Sequence, residues 1–139
     1  MHTVTIAPEA VARLAQALPP GKQVTMLNLL RFRETALYED GSTLPPCTGR
    51  QAYYERYAPV ATPMVFARGG TILFAGQAAS HVVCPGDEVW DDCLIVQYPD
   101  VSLIATMFHV PEYQAVVHHR TAALIDSRLI ALGEGVVGL

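Results

Sequence analysis

An arginine stands in the middle of what reads as a buried helix face. Along PEYQAVVHHRTAALID (111–126), an advance of about 100° per residue sets Tyr113, Val116, Val117, Arg120 and Leu124 on one side. The guanidinium of Arg120 therefore interrupts an apolar stripe. Burying that charge unpaired is costly, so it needs an anionic partner or a route to water. One solution is a ligand, because the planar fork of arginine suits a substrate carboxylate or an enolate oxygen. The others are internal: an ion pair with Glu55 or Asp126, or a side chain that snorkels to solvent.

His118 and His119 precede Arg120 but point about 100° apart, so at most one shares its pocket. His119 is the candidate general acid or base, with Asp126 about two turns along as its orienting carboxylate. The plainer alternative is a surface or capping histidine. Asn28 lies in the most apolar segment of the chain, where an amide must find hydrogen-bond partners. It either steadies a developing oxyanion or pairs with a neighbouring bulge or side chain.

Arg31 and Arg33 follow on the opposite face of the same segment, at a pocket rim or as solvated ends. Tyr53 and Tyr57 share a helix face, and with Trp90 and Tyr113 they could line a cavity or fill core. The candidate catalytic set is thus His119, Arg120, Asn28 and Asp126. Arg31, Tyr53, Tyr57, Trp90 and Tyr113 are candidate substrate contacts. The histidines show no H-x-x-x-H or H-E-x-x-H spacing, so no metal is expected. Dinucleotide, P-loop and serine-hydrolase signatures are missing too, and no cofactor is expected.

The elements that must position these groups can be read in order. Residues 8–18 form a short helix opened by Pro8 and closed by Pro19-Pro20-Gly21. VTMLNLLRF, Val24 to Phe32, is an apolar run whose length fits a strand covered on both faces. A long loop spans 33–48, and a helix spans 49–67 with Pro59 and Pro63 kinking or splitting it. A second strand occupies 71–83 with a bulge or bend at Gly76, and a third runs from Val89 to Tyr98. A short helix covers 101–108, another runs from Pro111 to about Ile125, and 127–132 closes as the last strand.

That order predicts an α+β domain with a four-stranded antiparallel sheet, helices on one face and an extra N-terminal helix. A single domain fills 1–139, with its core at about 24–135. If the strands are apolar on both faces, a second subunit must cover the bare one. The expected assembly is therefore a homodimer, the dimeric α+β barrel, with a pocket between sheet and helices.

Composition agrees. Apolar residues make up 51% of the 139 residues and charged ones only 16%, below the roughly 25% usual for globular domains, so a subunit interface is a natural home for surplus apolar area. The net charge of −4 and nine scattered lysines and arginines argue against a nucleic-acid partner. Lys22 is the one lysine, which makes Schiff-base chemistry an unlikely use of the chain. No apolar run reaches the ~18 residues of a membrane span, and MHTVTIAPEAVARL lacks the order of a signal peptide. A cytoplasmic protein without a membrane partner is expected. Cys47, Cys84 and Cys93 read as reduced thiols, Cys93 as core filling.

Three stretches carry a resemblance. EYQAVVHHRTAALIDSRLIALGEG (112–135), WDDCLIVQYPD (90–100) and GRQAYYERYAPVATPM (49–64) resemble the family named domain of unknown function 1330. The similarity covers most of Val24 to Gly135, and its Pro-Glu-Tyr-Gln-x(5)-Arg portion is the most specific part. The N-terminal helix and the loop 33–48 depart from the short members. The chain is more similar to a longer branch with Met-Leu-Asn-Leu-Leu-Arg-Phe and His-His-Arg. The resemblance implies a ferredoxin-like βαββαβ dimer and supplies no reaction.

Two functions are therefore expected in competition. One is a cofactor-independent enzyme acting on a small anionic or carbonyl-bearing metabolite by proton transfer, isomerisation or oxygenation. There Arg120 holds charge, His119 moves a proton and Asn28 steadies an enolate. The other is a non-catalytic homodimer, ligand-binding or purely structural, whose buried polar groups satisfy one another.

Overall fold

The apolar run VTMLNLLRF becomes β1 (Val24–Phe32), a central strand in a computed structural model that describes residues 1–135. It lies between β3 (Asp92–Tyr98) and β4 (Leu124–Leu132), and β2 (Thr71–Gln77) pairs with the far side of β3. The order is β2-β3-β1-β4 with every neighbouring pair antiparallel. Two βαβ units are interleaved, each with one strand of the other between its own two. This is the ferredoxin-like arrangement expected from the sequence.

Local chemistry sets most element ends. Helix α1 (Pro8–Gln16) starts on a proline whose missing N–H costs nothing there, with Glu9 in its first turn and Arg13 in its last to suit the helix dipole. Thr48 caps α2 (Gly49–Gln51) through a capping box, its hydroxyl accepting from Gln51 N–H while the Gln51 side chain accepts from Thr48 N–H. The helix then widens into a π-helical turn over Ala52–Tyr57 before α3 (Ala58–Ala67). Pro59 offers no N–H to the carbonyl four residues back, and the wider turn falls just before it. Asp100 caps α4 (Val101–Met107), accepting from Ser102 N–H at 2.8 Å.

Several boundaries differ from the expected ones. The helix expected from Pro111 to Ile125 is two pieces, α5 (Pro111–Gln114) and α6 (Val117–Ala123), parted where Val116 leaves helical geometry at φ −118° and ψ −10°. Strand β4 begins at Leu124, three residues before the expected Ser127. Strand β2 stops at Gln77 instead of running to Val83, and β3 starts at Asp92 rather than Val89. The register of β2 slips between Ile72 and Phe74, so the bulge sits at Leu73 and not at Gly76.

Alternation divides β1 cleanly. Val24, Met26 and Leu30 face the helices and are buried, with Tyr98 and Leu124 beside them from β3 and β4. The other face carries Leu27, Leu29, Cys93 and Ile95 toward no helix. At its edges Phe74 is 52% exposed and Ile130 46%. Cys93, expected as core filling, is half-buried on this open face, where burial raises its thiol pKa.

The N-terminal arm, residues 1–7, is stitched to the edge strand β4. Ser127 N–H donates to the Thr3 carbonyl at 2.7 Å, and Thr3 N–H donates to Asp126 Oδ1 at 2.9 Å. The arm thereby covers part of an edge that would otherwise offer unpaired backbone groups.

Candidate functional site

Between the sheet and the helices lies a cavity of about 130 Å³. Asn28 reaches it from β1, Tyr53 and Tyr57 from the π-helical turn, Tyr113 from α5 and Arg120 from α6. Five of the nine candidate residues are thus brought to one place.

Arg120 is 3% exposed, and its Nη1 donates to the Val4 carbonyl at 2.7 Å. Among the described residues no carboxylate lies within ion-pair distance of it. The internal pairing with Glu55 or Asp126 is not formed: Glu55 is exposed, and Asp126 is engaged elsewhere. The Tyr53 hydroxyl also lies within hydrogen-bond reach of the guanidinium, which still meets no anion, so its charge is left without a counter-charge.

Three phenols surround the same space. The Tyr57 and Tyr113 hydroxyls are 2.7 Å apart, and the Tyr53 and Tyr57 rings lie 5.0 Å apart, centroid to centroid. Burial raises all three hydroxyl pKa values, and the nearby Arg120 charge only partly opposes it. They remain protonated hydrogen-bond donors at neutral pH. Asn28 adds the opposite kind of group, since its Oδ1 is buried without a hydrogen-bond partner. A cation, three hydroxyls and an orphaned acceptor converge on one mainly apolar cavity, the usual make-up of a small-molecule site.

The remaining candidates lie elsewhere. His119 does not line the cavity and does not meet Asp126. Its Nδ1 is 2.7 Å from the Tyr38 hydroxyl, in the loop 33–48, and its ring stacks on His118 at 4.0 Å. Burial, then His118 and Arg56, lowers its pKa. The expected pairing fails because Asp126 is on a strand, so seven residues no longer mean two helical turns.

Asp126 lies on the open face of the sheet, in register with Arg31, and is bonded to Arg128 at 2.6 Å. Burial pushes its carboxyl up. Bonds from Thr3 and Ser127 N–H and from Arg128 outweigh that and hold it below the ordinary value. Trp90 lies beneath the Arg128 guanidinium at 4.9 Å. Arg31, Trp90 and Asp126 are therefore grouped, but away from the cavity.

Two features of the site had no counterpart in the expected set. The Val4 carbonyl that caps Arg120 is a backbone group, and no residue type announces it. Tyr98 lines the cavity from the helix-facing side of β3, which the alternation Asp92, Leu94, Val96, Tyr98 does signal. A separate cluster joins the buried Asp92 to the partly exposed Arg50 by two bonds, of 2.8 and 2.9 Å, and to the hydroxyl of the exposed Tyr54. Its charges are mutually satisfied. Among the described residues no group of three or more His, Cys, Asp or Glu side chains is gathered to hold a metal ion. No helix there is long and apolar enough to cross a membrane.

The model of the family described as Domain of unknown function (DUF1330) matches residues 48–134. The chain is similar to two crystal structures. One, of the methylated RPA0582 protein, is 34% identical with a TM-score of 0.86, covering 99% of this chain and 98% of that one. The other, of the RPA0582 protein of unknown function from Rhodopseudomonas palustris, is 34% identical with a TM-score of 0.83, covering 96% and 98%. A protein from Bacteroides fragilis, described as dimeric, of unknown function and of ferredoxin-like fold, is 12% identical with a TM-score of 0.48, covering 81% and 96%. No curated protein matches.

Proposed function

The chain belongs to the domain of unknown function 1330 family, and from the cavity geometry we propose that it is a homodimer that takes a small anionic or carbonyl-bearing metabolite against Arg120. The observation that carries this is the guanidinium itself, buried beside three protonated phenols with no anion of the protein's own to meet it. A ligand oxygen placed there receives a charge-assisted bond and phenolic hydrogen bonds together. The same donors stabilise charge that develops on that oxygen, as enolate formation requires, while the proton leaving carbon passes to water or to the ligand's own carboxylate, because the buried phenols stay protonated. Such chemistry needs no cofactor.

The test is calorimetric titration with propionate and acetoacetate against the neutral propionamide. The acids are expected to bind more tightly, and Arg120→Met should weaken them about 10- to 100-fold, the worth of one charge-assisted bond. A folded Arg120→Met protein with unchanged affinity sinks the reading.

A second reading, a non-catalytic binding dimer, is favoured by the residues that line the cavity, none of them histidine or carboxylate. Deuterium uptake at the acidic carbon of bound acetoacetate decides between the two: uptake above the Arg120→Met background marks an enzyme, and binding without it marks a carrier or sensor.

The homodimer is supported by the open sheet face of Leu27, Leu29, Ile95, Phe74 and Ile130, which is apolar enough to be costly in water. Light scattering at micromolar concentration should give twice the chain mass, and Ile95→Asp should halve it. A wild-type monomer overturns this part. The unpaired thiols of Cys47, Cys84 and Cys93 support a cytoplasmic location.

A further inference from the structure

The cavity at Arg120 is the inner end of a longer space. A groove of about 440 Å³ runs between the N-terminal arm with α1 on one side and β4 on the other. Ile6, Met26, Phe108, Arg120 and Leu129 line both the groove and the cavity, so the two meet at the guanidinium. Beyond that junction the groove walls are mainly apolar, with Ala7, Val11 and Leu14 from the arm and α1 and Ala131 from β4. No Asp or Glu lines either space, while Arg13 stands exposed at the groove and Arg120 is buried at its end. Arg128, also at the groove, is already held by Asp126. The charge pattern admits an anion, and the apolar length admits hydrocarbon.

The inner end specifies the head group further. Arg120 is a donor that lacks an anion, and the buried Asn28 Oδ1 is an acceptor that lacks a donor. A head satisfying both carries an oxygen acceptor for the guanidinium and an O–H for the amide. A simple carboxylate meets the first demand only; a hydroxy acid meets both.

We infer that the substrate class of this site is a hydroxy carboxylate with an extended hydrocarbon tail, its head between Arg120 and Asn28 and its tail between α1 and β4. This rests on the anion-binding reading above and narrows it.

The experiment is a calorimetric series of unbranched 3-hydroxy acids from four to ten carbons, each below its micelle concentration, on the whole protein. The dissociation constant should fall about fourfold per added methylene until the groove is full. Ala10→Phe, which projects a ring into the groove from the exposed side of α1, should flatten that series, with 3-hydroxybutyrate as the short reference. 3-Hydroxydecanoate should bind about fivefold more tightly than decanoate, and Asn28→Leu should remove the preference.

A flat series in which 3-hydroxybutyrate still binds through Arg120 overturns this inference and leaves the anion site standing. Failure of every acid to bind, with Arg120→Met indistinguishable from the parent, overturns both. Equal binding of the hydroxylated and plain acids removes the head assignment. A changed molar mass in Ala10→Phe with the chain-length slope intact makes the groove a contact between copies and ends the proposal.

Discussion

Replacing Arg120 by methionine separates a binding role from a structural one, because the two make opposite demands on stability. The substitution removes one charge-assisted hydrogen bond, from Nη1 to the Val4 carbonyl at 2.7 Å, worth about 2 kcal/mol. It also removes a guanidinium that is 3% exposed and unpaired with any carboxylate, and so releases a desolvation penalty that amounts to several kcal/mol for a buried ion. Methionine fills most of the same apolar volume. No carboxylate is stranded, since none was paired. The net expectation is a stability no more than about 1 kcal/mol below the parent, a fall of about 3 °C or less in Tm for 139 residues. Urea denaturation followed by circular dichroism measures this on the same protein used for the acid titrations. An internal ion pair would behave differently, losing about 3–5 kcal/mol when one partner is removed. A drop of about 3 kcal/mol or more refutes the account of Arg120 given above.

Other perturbations test the frame around the site. At Gly49 a Cβ would lie 2.4 Å from the carbonyl oxygens of both Ala123 and Arg33, which are backbone and cannot swing aside. Gly49→Ala should therefore cost about 3 kcal/mol or more, read from denaturation midpoints. Asp126→Ala leaves Thr3 N–H without its partner and breaks the Arg128 contact. It should cost about 2–4 kcal/mol and speed amide exchange at Thr3. The lowered Asp126 pKa means its stabilisation is whole above the ordinary carboxylate value near 3.8 and lost as pH falls through the lower folded one. His119, also lowered, behaves in the same sense from a higher start: its folded state favours the neutral ring, so its stabilisation is whole above the ordinary value near 6.5 and is lost, with the Tyr38 contact, as pH falls through the lower folded one. Limited proteolysis of the loop 33–48 should accelerate at pH 5.5 over pH 7.5 in the parent, and the difference should shrink in His119→Gln.

How far the molecule could be read from its residues depended on whether one element explained each pattern. Val24–Phe32 is apolar at every position but three, so its strand and its central place follow at once. Pro8 marks a helix start that the structure keeps. The segment from Val116 to Ser127 is different. Its alanines and leucine serve helix and strand alike, and pairing with β1 claims Leu124 onward for the sheet. That single boundary separates His119 from Asp126. Arg120 survived because its stripe includes Tyr113 and the helix turns that remain are enough to bury it. Trp90 lies just before β3 begins, where strand alternation gives no direction, and it went to the open face beneath Arg128. The Val4 cap was out of reach, since a main-chain carbonyl is common to every residue.

The arm that caps Arg120 also sets a timetable for the chain. Val4 and Arg120 are 116 positions apart, and Thr3 meets Ser127 across 124. On a ribosome the arm emerges on the order of ten seconds before the strand that receives it, at typical elongation rates. Through that interval β1 is present without β4, its greasy surfaces open to whatever is near. Closing so distant a loop adds only logarithmically to the entropic cost, but it makes the native state a product of late, non-local encounters and slows its formation. No nascent fragment that stops short of Ser127 holds the guanidinium in its finished setting, so the Val4 cap on Arg120 closes only after β4 has emerged.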